Sequence, residues 1–225
     1  MTNYTLMTHI ASKITGAVFA IQMTIAGLSG ARLPEPAIDA KASSAKGTET
    51  AVLAGGCFWG LEAVFEHLNG VSDVVSGYSG GSKSAAHYDI VSGGNTGHAE
   101  SVKITYDPSR ISFGQLLNVY FSVAHDPTEL NRQGPDSGTQ YRSAIFYAHE
   151  EQKRVAQAYT QQLEKLKVFS KPIMTQIVPL AAFYPAEAYH QNFIQRNPNY
   201  PYVVFNDLPK LKQLKEQFPE LVKPR

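Results

Sequence analysis

The chain is 225 residues long, 43% hydrophobic and 17% charged, with a formal charge of +1 at neutral pH. That length suits one domain of ordinary size with extensions, and the apolar share suffices for a packed core. The near-neutral balance argues against a nucleic-acid binder and no glycine run carries the Lys-Ser/Thr pair of a phosphate-cradling loop; the single cysteine, Cys57, excludes an internal disulfide and a thiolate zinc cluster, and the seven histidines show no metal-ligand spacing.

From Ile14 to Ala31 there is no charged residue, and Val18, Phe19, Ile21, Ile25 and Leu28 make a moderately apolar run. With Lys13 ahead of it and Ser29 and Ala31 suited to cleavage before Arg32, residues 1–31 read as a secretory signal. The mature protein is then expected to be periplasmic or secreted, and cytoplasmic if the segment is not a signal. Thr15, Gly16, Gln22, Thr24 and Gly27 dilute the run too far for a good membrane anchor. Residues 32–48, rich in Pro, Ala, Ser and Lys, read as a flexible linker, which leaves residues 49–225 as the folded domain.

Thr50 to Ala54 is an apolar, β-prone stretch, and Leu61, Val64, Phe65 and Leu68 after it recur at helical spacing. These predict a strand and then a helix over about 58–69. Val71 to Gly77 reads as a second strand and Gly77 to Ser82 opens a long loop. Ala99 to Tyr106 is the clearest alternating strand, closed by Asp107-Pro108. Leu116, Leu117, Tyr120 and Phe121 form one face of a helix that Ser112 can cap. After a turn-rich loop over 131–139 come a strand at 141–147, a charged amphipathic helix at 150–166 and a strand at 173–178. From Pro198 the tail reads as mostly irregular, with a short helix around 208–217. The order β-α-β-β-α-β-α-β suits a two-layer α/β (α+β) sandwich, a mixed sheet with helices packed on it, related to the ferredoxin-like plan.

Cys57 sits where the first strand turns into the first helix, inside Gly55-Gly56-Cys57-Phe58-Trp59-Gly60 with the only tryptophan. The unpaired N–H groups and dipole of a helix start favour a thiolate, the nucleophilic form. A free cysteine is equally often a small buried hydrophobe. The flanking glycines give backbone room, and the aromatic pair gives the sulfur an apolar wall.

Gly56-Cys57-Phe58-Trp59-Gly60 resembles the nucleophile motif of the A-type peptide-methionine sulfoxide reductases. Three further stretches resemble that family in the same order: Gly97-His98-Ala99-Glu100, Gly138 to Ser143 and Tyr184 to Gln191. The similarity covers roughly residues 50–204 and implies the same fold. It also implies reduction of methionine S-sulfoxide, peptide-bound and free, in repair of oxidised proteins. The expected cofactor is none; an external thiol, thioredoxin- or glutaredoxin-like or a small dithiol, serves as reductant. The expected partners are oxidised proteins or peptides and that reductant, with no nucleic acid and no metal, and the chain is expected to be a monomer.

Sulfoxide reduction needs a nucleophile, a proton donor for the leaving oxygen and an apolar pocket for the methyl group. The resemblance assigns the first to Cys57. Phe58 and Trp59 become the pocket, although plain core packing would also explain them. Glu100, which on its own reads as a solvated strand-edge carboxylate, becomes the acid, its pKa raised by burial. Tyr88 and Tyr141 become hydroxyl donors to the sulfoxide oxygen. Asp136 matches an aspartate that helps position substrate, and a turn role explains it equally well. His190 resembles a histidine near the site and reads as structural.

Many family members carry later cysteines that resolve the oxidised nucleophile; this chain has none after Cys57. Ala188 stands where relatives often have an acidic residue. Two other readings stay open: a cysteine hydrolase or acyltransferase, in which His98 or His190 activates Cys57, and a non-catalytic thiol redox sensor.

Overall fold

A computed structural model describes residues 32–40 and 47–224; the expected signal, residues 1–31, lies outside the described residues. Among the described residues no helix is long and apolar enough to cross a membrane. The strands are β1 (Glu49–Ala54), β2 (Val71–Ser79), β3 (Ala99–Tyr106), β4 (Arg132–Gln133), β5 (Asp136–Ser137), β6 (Ala144–Tyr147), β7 (Gln176–Pro179) and β8 (Phe183–Pro185). The helices are α1 (Phe58–Glu66), α2 (Tyr88–Val91), α3 (Phe113–Val119), α4 (Glu150–Lys165), α5 (Phe193–Arg196) and α6 (Leu208–Gln217).

Six strands make one sheet in the order β7-β6-β1-β3-β2-β8, and β4 and β5 form a separate small hairpin. The pairings are antiparallel except β6 with β7, which α4 joins by a crossover. The inner order β6-β1-β3-β2 is the ferredoxin-like arrangement, with β7 and β8 added at the edges. The mixed sheet and the interleaved order therefore match the sequence reading.

β3 lies between β1 and β2. Its period of two puts Glu100, Val102, Ile104 and Tyr106 on one face, and all four are buried. That face meets Leu61, Val64 and Phe65 of α1 and Leu116 and Leu117 of α3 in the main core. A smaller cluster of Val52, Ala54, Ala99, Ala144 and Phe146 covers the other face. Glu100 is thus the first member of an otherwise apolar file, which is why its carboxyl is driven inside. α3 begins with a reciprocal cap: the Gln115 N–H donates to the Ser112 hydroxyl at 3.0 Å, and the Ser112 N–H donates to the Gln115 side chain at 3.0 Å.

The first described residues depart from the expected linker. Leu33 is buried, the Tyr159 hydroxyl donates to the Pro34 carbonyl at 2.8 Å, and the Ala37 N–H donates to the Gln162 side chain at 2.8 Å. The Asp39 carboxylate accepts from the Gly114 N–H at 2.8 Å, inside the first turn of α3. Arg32 pairs with Glu35 and Glu220 and lies over the Phe218 ring at 4.5 Å. Residues 32–40 are therefore an arm packed on the domain, because one apolar anchor and several backbone groups find partners there.

The tail has its helix α6 over the expected residues. Val203, Leu211, Leu214, Phe218 and Leu221 pack into the core, and the Asn69 N–H donates to the Leu221 carbonyl at 2.6 Å. These contacts hold the tail across α1 and bring Tyr200 and Tyr202 to the start of that helix.

Candidate active site

The turn from β1 into α1 is shaped by close approach. A Cβ on Gly56, whose φ is +91°, would lie 2.6 Å from the Gln133 side chain, so only glycine lets the backbone pass there. Cys57 follows as the residue that caps α1, with no side-chain cap bond of its own. Gly60, one turn on, also meets a neighbour: a Cβ there would lie 2.3 Å from Oδ1 of Asp207. The buried Asp207 carboxylate thus sits against the first turn of α1, with the Lys210 ammonium 3.5 Å away as its ion-pair partner.

Cys57, Phe58, Trp59, Tyr88, Glu100, Asp136 and Tyr141 line one cavity of about 180 Å³, together with Tyr200 and Tyr202. The seven residues singled out from the sequence therefore meet, although four distant segments supply them. Tyr88 opens α2, and its N–H donates to Glu187 at 3.0 Å while the Tyr78 hydroxyl holds the other Glu187 oxygen at 2.9 Å. Tyr141 ends a 3-10 turn over Thr139–Tyr141 instead of starting a strand; β6 begins at Ala144. Asp136 comes from the β4–β5 hairpin and accepts from the Tyr202 hydroxyl. Trp59 lies flat on Phe193 at 3.6 Å, with 5° between the rings, and its indole N–H donates to His190 Nδ1 at 3.2 Å.

Glu100 is buried and accepts from the Phe58 N–H at 3.1 Å. Burial pushes its carboxyl up to about 8, against the lowering effect of that one hydrogen bond. It is therefore largely protonated at neutral pH, the state a proton donor needs. Burial also pushes the Cys57 thiol well above its ordinary value, and Glu100 once ionised and the Asp207 carboxylate act in the same direction. The backbone N–H of Trp59 opposes this and loses. The sequence expectation that the helix start would leave a thiolate is thus corrected: desolvation outweighs the helix terminus, and the resting group is a thiol. Burial raises Tyr88, Tyr141 and Tyr202 too, which keeps all three hydroxyls as donors.

Neither histidine proposed for a hydrolase is hydrogen-bonded to Cys57. His98 accepts from the Gly81 N–H at 3.2 Å and its other nitrogen lies 2.9 Å from the Ser82 carbonyl. His190 supports Trp59 and packs against Phe58 and Tyr88. Sequence reasoning missed Tyr200, Tyr202 and Asp207, which all come from the tail. The available signals were the tyrosines of Tyr200-Pro201-Tyr202 just after Asn197-Pro198 and a lone acid, Asp207, beside an apolar run. Tyr184 to Gln191 forms β8 and a turn, with α5 starting only at Phe193.

The family model "Peptide methionine sulfoxide reductase" matches residues 49–222. A peptide methionine sulfoxide reductase MsrA 2 of Mesorhizobium japonicum is 61% identical over 178 residues, covering 79% of this chain and 91% of its own. One of the same name from Synechocystis is 55% identical over 193 residues, covering 85% and 90%. Among solved structures, reduced Mxr1 from Saccharomyces cerevisiae superposes with a TM-score of 0.63 at 36% identity, covering 71% of this chain and 91% of that one. Methionine sulfoxide reductase A of Corynebacterium diphtheriae gives 0.60 at 33% identity, covering 76% and 87%.

Proposed function

The chain belongs to the peptide methionine sulfoxide reductase family, and from that premise we propose how Cys57 and its neighbours carry the reaction. The protein is an oxidoreductase that returns methionine sulfoxide to methionine. The observation that carries the assignment of roles is the shared tie at Phe58: it follows the nucleophile in sequence and its N–H holds Oε2 of a buried, protonated Glu100.

The substrate methyl group enters between Phe58 and Trp59, and the sulfoxide oxygen faces Glu100, Tyr88 and Tyr141. With Oε2 engaged by Phe58, the Glu100 proton sits on the other oxygen, free to pass to the sulfoxide. Protonation makes the substrate sulfur electrophilic as Cys57 attacks it, and the carboxylate left behind takes the thiol's proton. The bond between the Cys57 and substrate sulfurs forms as the substrate S–O bond breaks. The released hydroxide then bonds to the Cys57 sulfur as that S–S bond breaks, so methionine departs and Cys57 is left as a sulfenic acid. Substrate sulfur gains two electrons, Cys57 loses two, and Glu100 ends as it began. Asp136, held by Tyr202, helps position the substrate.

No second thiol in the chain can condense with the sulfenic acid. An external thiol, from a thioredoxin-like protein or a small dithiol, releases water and forms a mixed disulfide that a further thiol resolves. The apolar segment at 14–31 supports an exported location, and N-terminal mass analysis of native protein tests it by finding either Arg32 or Met1 first.

With reductant withheld, one protein should reduce one sulfoxide and gain one oxygen in mass, trappable by a sulfenic-acid reagent, while Cys57→Ser gives no methionine. Turnover by Cys57→Ser would refute the assignment. A product that is mainly a Cys57-linked dimer would refute the external-thiol route.

A further inference from the structure

A second cavity, of about 280 Å³, also reaches Cys57. His125, Asp126, Gln133, Asn206, Lys210 and Gln213 are among its walls, and it has only Cys57 and Tyr202 in common with the aromatic cavity. The two spaces differ in chemistry. One is walled by aromatic rings and buried acid; the other presents amides, a carboxylate and the Lys210 ammonium, and has no aromatic wall beyond Tyr202 and the His125 ring. The partition is specific: Tyr202 lies between them and donates its hydroxyl to Asp136. The hairpin that carries Asp136 into the aromatic cavity carries Gln133 into the polar one, with Gln133 locked by bonds to the Asp126 backbone at 3.0 and 2.6 Å.

We propose that the polar cavity is the binding site for the reducing thiol, so that oxidant and reductant reach Cys57 from different sides. This rests on the sulfenic-acid chemistry above. Displacement at a divalent sulfur runs along the line of the bond being broken. The sulfenic oxygen is left where the sulfoxide oxygen was, beside Glu100, Tyr88 and Tyr141, so the incoming thiolate must approach away from them. The new S–S bond forms as the S–O bond breaks, and the oxygen leaves as water with one proton already its own and one from the incoming thiol. Sulfur of the thiol is oxidised by one electron and Cys57 is reduced by one. The ligand class is a cysteinyl thiol in a peptide, whose amides match Gln133 and Asn206 and whose developing negative charge faces Lys210. A free peptide thiol and a protein cysteine offer that same chemistry.

Gln213 is an exposed residue of α6, so Gln213→Trp can obstruct the polar cavity without entering the core, with Gln213→Ala as the open control. Single-turnover methionine yield without reductant tests the parent assignment separately and should be unchanged in both variants. Decay of the sulfenic acid on adding glutathione, or reduced thioredoxin in a parallel arm, should slow about tenfold or more in Gln213→Trp, equivalent to roughly 1.4 kcal/mol of barrier, and stay near wild type in Gln213→Ala. Slowing with glutathione alone assigns the site to a small thiol, and slowing with thioredoxin alone assigns it to a protein; unchanged decay with both overturns the proposal. Kinetic competition gives a second test. Separate sites make a methionine peptide a non-competitive inhibitor against the thiol, whereas competitive inhibition would mean a single shared cavity and overturn the proposal.

Discussion

The backbone N–H of Phe58 donates to Oε2 of Glu100 at 3.1 Å, so the residue after the nucleophile fixes the acid on the neighbouring strand. The carboxyl is protonated below about 8 because it is buried. The rate of the reductive half-reaction should therefore fall as pH rises through about 8. Glu100→Gln should lose roughly 100- to 10,000-fold in rate and lose that descending limb, as rapid-quench assays at a series of pH values will read. An intact limb in the variant would remove Glu100 from the acid role.

The same shift acts on stability. The folded value lies above the ordinary 4.5, so the folded state holds the proton more tightly than the unfolded chain. That stabilisation is fully present below about 4.5 and is lost as pH rises towards 8 and beyond. Urea titrations at pH 5 and pH 9 should show a larger drop with pH in wild type than in Glu100→Gln.

The chirality of the sulfoxide gives another expectation. Phe58 and Trp59 wall one part of the cavity, while Glu100, Tyr88 and Tyr141 bring hydroxyl donors to another. Only one arrangement around a tetrahedral sulfur places methyl and oxygen correctly together, and one enzyme type serves each epimer. Resolved epimers of a methionine sulfoxide peptide should give turnover with the S form. Equal rates, or preference for the R form, would contradict the cavity assignment.

Gly60 offers a packing test. A Cβ there would fall 2.3 Å from Asp207 Oδ1 and 2.9 Å from Lys210 Nζ. Gly60→Ala must push the buried carboxylate off α1, and overpacking of this kind costs about 1–3 kcal/mol. The denaturation midpoint should fall accordingly, and Cys57 reactivity should change with it, since Asp207 is one of the charges acting on that thiol.

The element order was legible in the sequence because amphipathic period and turn chemistry are local signals. Val71 to Gly77 and Ala99 to Tyr106 alternate, and Ser112 announces its helix by a cap. The cavity was legible where short motifs carried it: Cys57, Phe58, Trp59 and Glu100 lie in two of them. Tyr200, Tyr202 and Asp207 were not, since their placement depends on where the tail is fastened, at Asn69 and α1 more than a hundred residues earlier in the chain, a tertiary fact with no periodic trace. The Cys57 protonation state failed for a similar reason. A helix start is visible in sequence, but the burial that overrides it comes from the whole fold. The arm at 32–40 looked like a linker because its proline-rich composition hides a single anchor, Leu33.

That anchor can be measured. Leu33 is buried among core side chains, and Leu33→Ala should cost about 2–3 kcal/mol. Chemical denaturation will show it as a lower midpoint; an unchanged midpoint would return residues 32–40 to the role of a passive tether.

Arg32 grips Phe218 and Glu220, and the same stretch of chain that ends in those residues supplies Tyr200 and Tyr202 to the cavity. The two ends of the described chain are therefore one mechanical unit. Tension applied ahead of Arg32 meets Phe218 and Glu220 first, on the stretch of chain whose earlier part supplies Tyr200 and Tyr202 to the catalytic cavity.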